Sequence, residues 1–164
     1  SSLRMNQFLK TLGTAALAAG VAVGSVAPAS AAEYRNPHLD IIDTVRAAGY
    51  EVRTEHELCT EMTNVQGFVY APEWLFVICT ENISSSIDGY NTIRHEAIHV
   101  GQNCRGGLMF PLSRAHVVQR ATDNGWDPAT YPASQLTTEA EARVYADILS
   151  AQEVVNHVSL ACGL

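Results

Sequence analysis

His95, Glu96 and His99 are the residues of this chain whose types and spacing could do chemistry. They stand in the stretch His95-Glu96-Ala97-Ile98-His99, which reads H-E-x-x-H. On an α-helix, residues four apart share a face, with Cβ atoms about 5–6 Å apart. Two imidazoles so placed can both reach one Zn²⁺ at about 2.0–2.1 Å. Glu96 cannot share that ligation, but it is placed to hold and deprotonate a water on the metal. This is the machinery of a zinc-dependent peptidase.

The element that must position these groups is a helix running roughly from Asp88 to Cys104. Ser86 or Asp88 can accept hydrogen bonds from the free amides of its first turn. Ile87, Ile93, Ala97, Ile98 and Val100 recur near helical spacing and give it an apolar stripe. Gly106 and Gly107 follow as a left-handed stop. A helix buried along that stripe needs a reason to carry two histidines and a glutamate on one side, and a metal is such a reason.

A catalytic zinc takes three protein ligands and keeps one position open. The metzincin pattern would put glycine three residues and histidine six residues after His99. Gln102 and Arg105 stand there instead, which excludes it. The other route is a glutamate from a later helix, and Thr138-Glu139-Ala140-Glu141 supplies two. Two residues apart, they point to different sides of a helix, so only one can face His95 and His99.

With H-E-x-x-H on one helix and Glu139, Ala142 and Ala146 on another, in the order E-x-x-A-x-x-x-A, the chain resembles the gluzincin clan of metallopeptidases. The likeness is to its small members and spans roughly Gly67 to Leu149. It implies a zincin-like fold and a zinc held by His95, His99 and Glu139. It also implies that the small alanines let the two helices approach closely, and that the strand from Trp74 to Cys79 is the edge along which substrate backbone lies. Glu141 would then be solvated or pair with Thr138 in a capping box. The clan usually has Asp or Asn four residues after its zinc glutamate, orienting a ligand histidine. Here Arg143 stands in that position, and a cation cannot accept the histidine N–H.

The remaining chain frames this site. The sequence has 164 residues and a net charge of −7. Arg4 and Lys10 precede an Ala/Gly-rich apolar run from Leu12 to Ala27, and Ala29-Ser30-Ala31 has the form of a cleavage site. Residues 1–31 therefore read as a secretory signal, with Met5 as a natural start and no stable membrane anchor after cleavage. Residues 32–164 read as a single domain, secreted or periplasmic. That part holds eight arginines and no lysine against 17 acidic residues, a net charge of −9. An acidic surface without a basic run argues against nucleic acid and anionic membranes as partners. A peptide or protein substrate is the partner that the motif implies.

Four cysteines after an export signal read as two disulfides. Cys59 and Cys79 flank a hairpin and pair, which leaves Cys104 with Cys162. The elements expected are a helix from Pro37, capped by Asn36, and a polar extended piece between Tyr50 and Cys59. A hairpin of Gly67–Tyr70 and Trp74–Cys79 follows. After the motif helix comes a helix over Ser113–Thr122, then helix from Leu136 to Leu160, broken near Ser150. The fold class is α+β, a small antiparallel sheet packed beside a helical core.

His116, Tyr131 and Tyr90 are each able to stabilise an oxyanion, and the sequence does not choose among them. His38, His56 and His157 have no spacing partner and read as packing or surface residues, Trp74 and Trp126 as core or edge aromatics. The account that competes with an enzyme is a secreted zinc-binding domain without turnover, for interaction or metal sequestration. Arg143 favours it, and an intact Glu96 opposes it.

Overall fold

A computed structural model describes residues 35–110 and 114–164. The expected signal, residues 1–31, and Ser113 lie outside the described residues. The described residues form six α-helices and a three-stranded sheet.

Helix α1, Pro37–Ala47, starts where the sequence indicates. Asn36 accepts from the His38 amide at 2.9 Å, and Pro37 occupies the first turn, where no amide partner is needed. Strand β1, Glu51–Arg53, follows and is shorter than the extended piece expected. The rest of that piece coils into a short helix, α2, Glu57–Glu61, capped by the His56 side chain. Strands β2, Gly67–Tyr70, and β3, Leu75–Ile78, form the anticipated hairpin. Trp74 does not belong to it: it sits left-handed at φ 52° in the turn and is exposed.

The sheet is mixed, not purely antiparallel. Its order is β1-β3-β2, with β1 parallel to β3 and β2 antiparallel to it. All four side chains of β3 are buried, as a central strand covered on both faces requires. This overturns the expectation that Trp74–Cys79 forms the open edge. β3 has both neighbours, and among the described residues the strand beside the site with a free edge is β2.

Helix α3, Ser86–Arg105, carries the motif. Its cap is Ser85, one residue before those expected, with Oγ accepting from the Asp88 amide at 3.1 Å. Gly106 ends it at φ 76°, a conformation that glycine adopts without a Cβ clash. Helix α4, Arg114–Asp123, leads through a loop to α5, Leu136–Ile148, and α6, Ala151–Cys162. The expected break at Ser150 is a capping box: Ser150 Oγ accepts from the Glu153 amide, and Glu153 accepts from the Ser150 amide.

The main core joins α1, α3, α5 and α6 around Ile41, Val45, Phe76, Ile98 and Val154, all essentially inaccessible. Ala97, Ala142 and Ala146 are fully buried within it. Disulfide Cys59–Cys79 ties α2 to the end of β3, and Cys104–Cys162 ties the last turn of α3 to the end of α6. The second closes a long loop, for which roughly 2–4 kcal/mol is typical. Two disulfides fit an extracellular, oxidising compartment. No described helix is long and apolar enough to cross a membrane.

Candidate metal centre

The α3 and α5 helices bring three side chains to one point. His95 Nε2 lies 3.2 Å from Glu139 Oε1, and His99 Nε2 lies 3.0 Å from Glu139 Oε2. The two histidine Nε2 atoms are 3.2 Å apart. Ligand atoms about 2.0–2.1 Å from a tetrahedral zinc are spaced about 3.3 Å from one another, so this triangle has the size of one face of such a site. His95, His99 and Glu139 form a group able to hold a metal ion. Two neutral-capable imidazoles and a carboxylate are a donor set suited to zinc.

The register along α5 separates the two glutamates. Glu139 faces the histidines. Glu141 does not reach them, and it is neither solvated nor part of a capping box with Thr138. It is fully buried on the far side of Gln102. Glu141 Oε1 accepts from Gln102 Nε2 at 3.0 Å and from the Met109 amide at 2.8 Å, and Oε2 accepts from the Phe110 amide at 3.2 Å. Three donors compensate the burial of this carboxyl group.

Gln102 connects that clamp to the cluster. Its Nε2 donates to Glu141 and to the Thr138 carbonyl, at 3.0 and 2.9 Å, so its Oε1 is the acceptor for His99 Nδ1 at 2.8 Å. A proton held on Nδ1 turns Nε2 toward the cluster, the tautomer a metal ligand needs. Gln102 thus does what Asp or Asn four residues after Glu139 was expected to do. Sequence reasoning missed it. The available signal was its place three residues after His99, on the same helical face.

Charge is arranged around this centre. Burial opposes a charge on His99, but the hydrogen bond to Glu139 and the negative charges of Glu96 and Glu139 outweigh it and push its pKa up to about 9. Burial also opposes ionisation of Glu139, yet its bonds to His95 and His99 hold it well below the usual carboxylate range. Glu96 is buried, and that burial raises its pKa despite the attraction of His95 and His99. A carboxyl group whose pKa is raised is a stronger base than an ordinary one and is better matched to taking and returning a proton.

Arg143 reaches the cluster from its own side of α5, with Nε 3.2 Å from Glu139 Oε1. Its guanidinium lies 5.9 Å from the ring centroids of both Trp126 and Tyr131, and Nη2 is 3.4 Å from the Tyr131 hydroxyl. Of the three oxyanion candidates, only Tyr131 lines the cavity over the cluster. Tyr90 accepts from Asn36 and stacks on His38, and His116 lies on α4 outside that lining. His38 itself is a packing residue: burial, then the nearby Arg94, lower its pKa to about 4.

The cavity measures about 640 Å³ and is lined by β2, α3 and the start of α5. A second space of about 400 Å³ meets it at His95, Glu96, Glu139 and Tyr131. Gly67 lines both. A Cβ there would stand 2.8 Å from the Val77 carbonyl oxygen and 3.1 Å from Glu96 Cγ. Gly67→Ala is therefore expected to cost about 1–3 kcal/mol, as overpacking against backbone does. It should also displace Glu96. Chemical denaturation of the variant beside the wild type checks the loss of stability.

No curated protein and no solved structure matches the chain. Residues 8–162 match a domain of unknown function, DUF8637, and the chain belongs to that family.

Proposed function

We propose that this protein is a secreted zinc metallopeptidase of gluzincin type. The observation that carries the reading is the Nε2–Nε2–carboxylate triangle of His95, His99 and Glu139, with the buried, separately held Glu96 beside it. His95, His99 and Glu139 would hold the zinc. When bound, zinc polarises a scissile carbonyl and lowers the pKa of water.

The chain's own residues supply the rest. Glu96 takes a proton from water as it attacks the carbonyl, then delivers that proton to the leaving amine. Its Oε1 lies 4.0 Å from His95 Nε2, close enough to act at the same point without joining the triangle. The Tyr131 hydroxyl, at the rim of the cavity, is the donor placed to receive the developing oxyanion. Gln102 keeps His99 in its ligand tautomer.

Substrate backbone has an edge to lie on. Gln66 O accepts from the Cys79 amide at 2.7 Å, so by the alternation of antiparallel pairing Phe68 and Tyr70 also turn their backbone groups to β3. Gly67 and Val69 then offer theirs to the open side, along the cavity. Peptide-library digestion by the zinc-loaded protein tests the reading. Cleavage is expected, lost with a chelator and restored by zinc. No cleavage by a protein that holds one zinc would overturn it.

A metal-holding domain without turnover is favoured by one observation, the contact of Arg143 Nε with Glu139. That contact draws on the charge of the carboxylate. It gives no role to Glu96, which a purely structural site does not need.

A further inference from the structure

Arg143 has no part in the chemistry above, yet it stands in the cleft. Among the described residues it is the one arginine or lysine lining either of the two spaces that meet at the cluster. Apart from the cluster residues, the larger space is walled by uncharged groups, among them Asn103, Gln135 and Thr138. The smaller is walled by Asn64, Gln66 and Asn91, and Arg143 is its cation. In a chain of net charge −7, a single guanidinium at that place is a specific feature.

The guanidinium is also pre-positioned. Trp126 and Tyr131 flank it, and Glu139 holds its Nε. An arginine offers five N–H donors in a planar fork that matches a carboxylate. Among the described residues Arg143 uses Nε on Glu139 and, at 3.4 Å, Nη2 on Tyr131. The side chain is half-exposed and lines the cleft, as well as a smaller space beside Trp126 and Asp127.

Strand direction tells which end of a peptide would meet it. Asn64 and Gln66 line only the Arg143 arm, Phe68 and Val69 only the neutral arm, and Val65 and Gly67 both, so β2 runs away from Arg143. A peptide added antiparallel, the commoner mode, runs from the neutral arm toward Arg143. Its C-terminal side therefore lies beside the guanidinium. Arg143 Nε is 3.2 Å from Glu139 Oε1, itself 3.2 Å from His95 Nε2. At about 3.3 Å per extended residue, that leaves room for one or two residues beyond the scissile bond.

We propose that Arg143 anchors a substrate carboxylate on the C-terminal side of the scissile bond, either the terminal carboxylate of the peptide or an acidic side chain one or two residues on. The inference rests on the peptidase reading. The reaction it specifies is hydrolysis: the peptide C–N bond breaks, the water oxygen joins the carbonyl carbon, and the amine leaves with a proton. With a terminal carboxylate as the anchor, the products are a shortened peptide and a free amino acid or dipeptide.

The test measures binding to zinc-loaded Glu96→Gln protein by calorimetry, using three peptides that are alike except at the C-terminal residue. One ends in a free acid, one in an amide, and one in an amide with glutamate as its last residue. The free-acid peptide is expected to bind about tenfold to a hundredfold more tightly than the plain amide, as a charge-assisted pair provides. Arg143→Gln should remove that preference and Arg143→Lys should keep part of it. The same ratio in the glutamate peptide would assign the side-chain source, and a ratio in the free acid alone the terminal one. Equal binding of all three by protein with Arg143 intact would overturn the inference, whatever the variants do. Digestion of the same peptides by the wild type separates the two readings. A carboxylate preference in binding with no cleavage would sink the peptidase and leave the anchor standing. Cleavage of all three at equal rates would sink the anchor alone.

Discussion

Glu96→Gln is expected to retain one zinc per chain and to lose peptide cleavage by about a hundredfold to ten-thousandfold, the range for removing a general base. The amide has nearly the size of the carboxylate and fills the same buried position, so the fold should hold. His95, His99 and Glu139 remain in place, so the metal should too. Zinc content measured beside kcat/KM checks both parts. Equal loss of zinc and activity would assign Glu96 a structural role instead. Unchanged activity would remove it from the chemistry.

Glu141→Ala carries the largest expected effect on stability. The substitution leaves the buried Met109 amide and the part-buried Phe110 amide without their acceptor. It also removes one of the two acceptors of Gln102 Nε2. An unsatisfied buried donor costs about 1–3 kcal/mol, so the total should reach roughly 3–5 kcal/mol. Against the 5–15 kcal/mol or so that stabilises a typical domain, that is a large share. Thermal unfolding of the two single alanine variants distinguishes the glutamates. Glu141→Ala should melt well below the wild type at any zinc level. Glu139→Ala should lose its ion pairs with His95, His99 and Arg143 at any zinc level and, unlike Glu141→Ala, should also lose the further stabilisation that zinc gives the wild type.

Much of this was legible in the sequence because local rules determine it. Asn36-Pro37 dictated the start of α1, Gly106 the end of α3, and Ser150 with Glu153 the break between α5 and α6. The i, i+4 spacing of His95 and His99 placed them together, and the alanine register of α5 separated Glu139 from Glu141. What escaped was non-local. No pattern within Tyr50–Cys59 announces that Glu51–Arg53 pairs in parallel with β3, so the sheet was expected to be antiparallel and β3 to be its edge. Glu141 looked like a surface residue because its donors, Gln102 and the Met109 and Phe110 amides, arrive from distant segments. Arg143 read as a defect beside Glu139; only the cleft gives it a place of its own.

The central claim is that His95, His99 and Glu139 hold a zinc ion. Elemental analysis of purified protein with intact disulfides, wild type beside Glu139→Ala, tests it most directly. The account predicts one zinc per chain in the wild type and loss of it in Glu139→Ala, with circular dichroism showing that the variant is folded. A wild type that takes up no zinc after refolding with the metal would contradict the account and leave the triangle as a buried hydrogen-bonded cluster.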